Sequence, residues 1–192
     1  MTLCVNNEKS MAASVQSKDF IPLNIAVLTV SDSRTLADDK SGNVLVERLS
    51  TAGHKLAARD IVTDDVEAIR AVVRDWIADS GVDAIITTGG TGFTGRDVTP
   101  EAIEPLFEKR MDGFSIVFQM ISYAKIGTST IQSRATAGVA GATYIFCLPG
   151  SPGACKDGWD GILAAQLDYR TNPCNFVEIM PRLDEHLRRD KA

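Results

Sequence analysis

Long apolar runs are missing from this chain. Its uninterrupted hydrophobic stretches reach about six residues, far short of the roughly 20 that span a bilayer, so no membrane crossing is expected. The first residues lack a basic segment leading into an apolar core, so no secretory signal is read. Histidine occurs only as His54 and His186, and neither lies near a cysteine in sequence. The cysteines, Cys4, Cys147, Cys155 and Cys174, match no zinc-ligand spacing. A disulfide framework is not expected in a chain this long, and reduced thiols in a cytoplasmic protein are the expected state. Cys147 ends an apolar run and reads as a small buried hydrophobe. Positive charge is also in deficit. A net charge of −5 offers no sequence-independent attraction to nucleic acid or to an anionic membrane.

What is present describes a globular protein. With 192 residues, 44% hydrophobic and 23% charged, the chain can build one domain with a substantial core. Residues 1–19 are polar without a sustained period and read as a flexible N-terminal tail. Residues 20–181 read as a single domain, and residues 182–192 as a charged C-terminal tail. No internal repeat or linker divides them.

Three stretches read as buried strands: Ile25–Val30, Asp83–Thr88 and Thr143–Leu148. Each is mainly apolar, without the alternation of a half-exposed strand, as expected where both sheet faces are covered. His54–Val62 is a weaker strand candidate. Between them lie helical stripes. Ile69, Val72, Val73, Trp76 and Ile77 recur at helical spacing. Leu45, Leu49 and Ala52 precede Gly53, a plausible C-terminal cap. Phe114, Val117, Phe118 and Ile121 form a third stripe. Cys155, Trp159, Ile162 and Leu163 form a fourth, weakened by Gly158 and Gly161. Strands alternating with helices predict an α/β fold whose sheet is parallel or mostly parallel and covered on both sides. Trp76 and Trp159 read as packing residues, and both histidines as non-catalytic.

In such sheets ligands sit beyond the carboxyl ends of the strands. The three strand exits are rich in small and hydroxyl residues and should converge: Thr29–Ser33, Thr88–Gly92 and Leu148–Pro152. The middle exit belongs to Thr-Thr-Gly-Gly-Thr-Gly-Phe-Thr-Gly-Arg-Asp-Val-Thr-Pro, residues 87–100. Gly89, Gly90, Gly92 and Gly95 permit positive φ and close backbone approach. Consecutive amides there can form an anion nest, and Thr88, Thr91 and Thr94 can add hydroxyl bonds. Thr99-Pro100 reads as an N-cap followed by proline at the first helical position. Residues 90–95 also match the dinucleotide pattern G-x-G-x-x-G. However, the third glycine does not open a helix, and no acidic residue ends a second strand about 20 positions on. A nicotinamide-dependent oxidoreductase therefore rests on that match alone.

Four carboxylates stand near these exits. Asp97 is read either as a magnesium ligand or as a local turn residue, since Mg²⁺ is commonly held by one or two carboxylates and substrate phosphates. One of Asp64 and Asp65 is expected to cap the following helix. Asp32 is either a turn former or a ligand contact.

These motifs, with Thr29–Arg34, Gly127–Ser129, Ser133–Ala135 and Leu148–Pro152, resemble the MogA/MoaB family of molybdenum cofactor biosynthesis. The likeness spans roughly residues 22–176, and Pro173–Phe176 looks closest to the MoaB branch. The resemblance implies a three-layer α/β/α molybdopterin-binding domain forming homotrimers or homohexamers. It implies transfer of AMP from ATP to the terminal phosphate of molybdopterin with Mg²⁺. The alternative is a non-catalytic protein that binds and delivers molybdopterin or a precursor. Other molybdenum cofactor biosynthesis proteins are implied as partners. The family's catalytic and metal-associated aspartates fall on Asp64 and Asp97. Thr63 stands where adenylylating relatives often have proline. Substrate contacts are expected from Ser31, Asp32, Thr88, Gly89, Gly90, Thr91, Gly92, Ser133, Arg134, Pro149, Gly150 and Ser151. Arg134 suits phosphate through its planar fork, or forms a surface ion pair.

Overall fold

A computed structural model describes residues 18–186. The N-terminal tail assigned to residues 1–19 falls almost wholly outside the described residues, as do residues 187–192 of the charged C-terminal stretch.

Among the described residues six strands form one sheet: β1 Asn24–Val30, β2 Lys55–Val62, β3 Ala84–Thr88, β4 Lys109–Arg110, β5 Thr136–Ala140 and β6 Thr143–Leu148. Their order is β2-β1-β3-β6-β5-β4. β2, β1, β3 and β6 run parallel, while β5 and β4 are antiparallel additions at one edge. Helices α1 (Lys40–Thr51), α2 (Val66–Ala78), α3 (Thr99–Ile103), α4 (Asp112–Ile126) and α5 (Pro152–Gly158) cover the two faces.

The sheet faces divide the core. On one side Ile25, Val27, Ala84, Ile86, Tyr144, Phe146 and Leu148 pack against Leu45 and Leu49 of α1 and Phe114 and Phe118 of α4. On the other, Ala26, Leu28, Val30, Ile85, Ile145 and Cys147 pack against Ile69 and Val73 of α2 and Ala102 and Ile103 of α3. Alternate residues of each strand serve opposite faces, so a central strand is mainly apolar on both. β2 lies at the edge, with Lys55 and Asp60 exposed, which explains its weaker sequence pattern.

β4 and β5 went unread in the sequence. Thr-Ala-Gly-Val-Ala is short and built of small residues, because the ring of Phe107 packs onto Gly138. A Cβ there would lie 2.3 Å from the ring. A tight turn through Gly141, φ 59°, joins β5 to β6. The fourth stripe also departs from a plain helix. After α5 the backbone widens into a π turn over Trp159–Leu163, then closes as α6 (Ala164–Gln166). Near the end, Asn175 caps α7 (Phe176–Ile179) and donates to Tyr169 O and Thr171 O, while the Tyr144 hydroxyl donates to Phe176 O.

His54 is a packing residue. It is 6% exposed, against Phe20 and Trp159, and its Nδ1 accepts the Leu23 amide proton at 3.1 Å. Burial lowers its pKa. The unfolded chain therefore takes up this proton first, and stability is lost as pH falls below about 6.5. Thermal midpoints from pH 8 to 5 should decline, and His54→Gln should flatten that slope; an equal slope in the variant would remove His54 as the cause.

Candidate functional site

The chain direction reverses at β1. One crossover carries it outward to β2, and the next carries it back past β1 to β3. The carboxyl ends of β1 and β3 therefore open a crevice, the position such sheets use for ligands. A cavity of about 490 Å³ lies there. Its walls are Thr29–Arg34 after β1, Asp64 after β2, Thr88–Gly92 with Arg96 and Asp97 after β3, Gln132 and Ser133 before β5, and Pro149–Ser151 after β6.

The three strand exits are bonded to one another. Thr88 Oγ1 donates to Pro149 O at 2.9 Å, and Gly89 N donates to Leu148 O. Ser41, at the start of α1, donates to Gly150 O and accepts from Arg34. Gly89 and Gly90 take φ of 106° and 62°, which L side chains rarely adopt. A Cβ on Gly89 would lie 2.2 Å from Val30 O, so the loop backbone rests directly on the end of β1. Of the four loop glycines that permit positive φ, Gly92 and Gly95 do not use it.

Thr99 is not the N-cap of α3. Val98 holds that position, Thr99 begins the helix, and Pro100 follows at the second position. The Thr99 hydroxyl is diverted to Gly89 O at 2.8 Å, while its amide donates to Gly90 O. The close glycine backbone offers the hydroxyl a buried acceptor, and the helix is left without a side-chain cap.

The paired aspartates after β2 divide their tasks. Asp65 caps α2 by accepting from Ala68 N, which leaves Asp64 facing the cavity. Asp64 Oδ1 would be 2.9 Å from a Cβ on Gly90. Its amide donates to Asp32 Oδ1, and Asp32 Oδ2 pairs with the exposed Arg96 at 3.0 Å. Burial, then the neighbouring Asp32 and Asp97 charges, raise the Asp64 pKa. Asp97 takes the turn role, one of its two readings from sequence, and also faces the cavity. It lines the cavity, and its Oδ2 closes a turn by accepting from Thr94 N and Thr94 Oγ1 at 2.8 and 2.6 Å. Partial burial opposes its charge, but those two bonds together with the Gly92 amide and the Arg134 charge outweigh it and lower the pKa. Cys155 is fully buried beside Thr88 Oγ1, where burial pushes its thiol up to about 11, so it stays protonated at neutral pH.

Of the expected contacts, Ser31, Asp32, Thr88, Gly89, Gly90, Thr91, Gly92, Ser133, Pro149, Gly150 and Ser151 all line this cavity. Arg134 does not. It lines a neighbouring cavity of about 380 Å³, and its guanidinium is bonded to its own protein. The cations that do line the main cavity are Arg34 and Arg96, neither singled out from sequence. Arg34 belongs to the Thr29–Arg34 segment, and its position just beyond the end of β1 was the available signal.

The match to known proteins agrees with this geometry. Residues 26–169 fit the family model described as "Probable molybdopterin binding domain". The chain belongs to the MogA/MoaB molybdopterin-binding family. It is 51% identical over 160 residues to molybdenum cofactor biosynthesis protein B of Escherichia coli K12, covering 83% of this chain and 94% of that protein. A crystal structure of a molybdenum cofactor biosynthesis protein B superposes with a TM-score of 0.79 at 37% identity, covering 88% of this chain and 99% of that one. The tungsten cofactor synthesizing protein MoaB from Pyrococcus furiosus gives 0.68 at 38% identity, over 74% and 91% of the two chains. The three-layer α/β/α architecture is thus that of the family, and the chain is assigned to molybdenum cofactor biosynthesis with molybdopterin binding.

Proposed function

We propose that this member of the family transfers AMP from ATP to the terminal phosphate of molybdopterin and releases pyrophosphate. The observation that carries this reading is the placement of Asp64 and Asp97 on one cavity wall with the glycine loop between them. The family includes the adenylyltransferase MogA, which supports it.

The attacking group is a phosphate oxygen, already anionic at neutral pH. It forms the new bond to the α-phosphorus. The bond from that phosphorus to the bridging oxygen breaks with its electron pair, and pyrophosphate leaves. No general base is required, and the barrier is the approach of two anions. The loop amides of Gly90 and Thr91 and the hydroxyls of Ser31 and Ser151 orient phosphate oxygens. Arg34 offsets their charge and Ser41 steadies Arg34.

Among the described residues no three acidic, histidine or cysteine side chains form a metal cage. Mg²⁺ bound by one or two carboxylates and substrate phosphates needs none. The donor set fits such an ion, because Asp64 and Asp97 are two oxygen-donor carboxylates lining the same cavity as the glycine loop. Asp64 and Asp97 would hold Mg²⁺, which would supply charge neutralisation at the phosphate of the adenylyl group being transferred. Incubation of the protein with molybdopterin and Mg-ATP should yield adenylylated pterin and pyrophosphate. Tight pterin binding with no product above a protein-free control would instead establish a binding and delivery protein.

A homo-oligomer, trimer or hexamer, is also proposed. Ile116, Met120 and Tyr123 on the outer face of α4 are 60%, 67% and 61% exposed, and Ile131 beyond it is 69% exposed. A contiguous apolar patch of this kind marks an interaction surface. Sedimentation should give a multiple of the 20.7 kDa chain mass, and Met120→Lys should shift it toward the monomer. An unchanged mass in the variant would place the interface elsewhere.

A further inference from the structure

Arg134 precedes β5, and its side chain lies behind the glycine loop. Its Nε donates to Gly92 O at 2.8 Å and its Nη2 to Asp97 O at 2.9 Å. Its Nη1 is bonded to Glu101 of α3. Its own amide donates to Thr91 O at 2.9 Å, and the guanidinium lies over the Phe93 ring, 5.3 Å from the centroid. Gly92 O and Asp97 O are the two ends of the Phe93–Arg96 excursion. One planar group therefore fixes the spacing between those ends, while Thr94 and Asp97 close the excursion from within.

The hold extends to α4. Gln119 donates to Ser133 O at 2.8 Å and accepts from Thr130 Oγ1 at 2.6 Å. This fixes the backbone just before Arg134. Each of the three guanidinium nitrogens of Arg134 makes a bond within the protein, and the side chain is absent from the walls of the main cavity.

We propose that Arg134 is a positioning residue, which sets the Asp97 carboxylate and the loop amides in register from outside the cavity and touches no substrate. A guanidinium can reach two carbonyls and a carboxylate at once. An ammonium is a single point charge and cannot bridge the same three acceptors. Lysine at this position thus separates the two roles open to the arginine. It preserves a charge contact to phosphate and destroys a three-point hold.

The experiment compares Arg134→Lys with the unaltered full chain, with Arg134→Ala as a more severe change. Amide hydrogen exchange is read across residues 91–98, with β1 as the internal reference. The lysine variant should exchange about tenfold faster at Thr94 and Asp97, with β1 unchanged, since local opening is controlled by local bonds. Exchange equal to the parent in this loop would overturn the proposal. Adenylyl transfer is the second readout, and this arm alone rests on the proposed reaction. In the lysine variant kcat should fall by about 100-fold or less, as for a misplaced reactive group, with KM for ATP changed by no more than about twofold. A raised KM with kcat retained and loop exchange unaltered would make Arg134 a phosphate ligand. If the parent transfers no AMP, the reaction is refuted, while the exchange measurement still decides whether Arg134 holds the loop.

Discussion

Asp97→Asn should lower the rate of adenylyl transfer by about 100-fold or more while pterin binding stays within a few-fold of the parent, because positioning and charge at the reacting phosphorus are lost without a change of shape. The substitution separates charge from geometry. Asparagine keeps an oxygen that can accept from the Thr94 amide and hydroxyl, so the turn that Asp97 closes can persist. What disappears is the carboxylate charge beside the glycine loop. Single-turnover measurement at saturating Mg-ATP is the direct check, and parental turnover in the variant would remove Asp97 from the mechanism.

Asp64→Asn should reduce turnover comparably, with the opposite effect on stability. The folded state raises the Asp64 pKa through burial and the Asp32 and Asp97 charges. A carboxyl group raised in this way favours folding at low pH and loses that contribution as pH rises through its folded pKa. At neutral pH the ionised group is held at a cost, which the amide removes. The Asp64→Asn chain should therefore melt slightly higher than the parent at pH 7 while being less active. A lower midpoint would show that the carboxylate serves the fold rather than the ligand.

The second large effect concerns a residue beneath the site. Asp39 is fully buried and accepts from Thr29 Oγ1, Gly42 N and Arg59 Nη2 at 2.7, 2.9 and 3.1 Å. It ties β1, β2 and the start of α1 together under Ser41 and Arg34. Burial favours its neutral form, but the bonds from Gly42, Thr29 and Arg59 outweigh that and lower its pKa. Removing one partner of a buried pair strands the other, at a cost of about 3–5 kcal/mol. Asp39→Ala should therefore lower the thermal midpoint by roughly 10 °C in a chain of this size. Arg34 should lose its fixed position at the cavity rim as well. A midpoint within a degree or two of the parent would show that the network is dispensable. The depressed pKa sets the pH window: this stabilisation is present above about 3.8 and is lost as pH falls through the lower folded value.

The legibility of this protein followed burial. β1, β3 and β6 are covered on both faces, so physics demands mainly apolar runs, and those runs could be read directly. β2, at an edge, gave half a signal, and β4 and β5 gave almost none. β5 is defined by what packs on it: Gly138 admits the Phe107 ring from more than 30 residues upstream, a contact that no local pattern announces. The helical stripes were visible for the same reason as the central strands. The widening at Trp159–Leu163 was foreshadowed only as weakness at Gly158 and Gly161. These glycines give room to the Leu148 and Ile121 side chains, each within 3 Å of where a Cβ would stand.

The local chemistry of the sequence by itself determined that an anion-binding loop follows a buried strand, that acidic residues flank it, and that three small-residue exits share one end of a sheet. Glycine, hydroxyl and carboxylate side chains carry those properties wherever the chain places them. Tertiary structure alone decided how the work is divided among them. It gave the helix cap to Asp65 and left Asp64 for the cavity, and it diverted the Thr99 hydroxyl to Gly89 O. It brought Arg34 to the rim and turned Arg134 away from it. Each of these outcomes depends on which acceptor lies within about 3 Å in the folded chain, a distance set by packing between segments far apart in sequence.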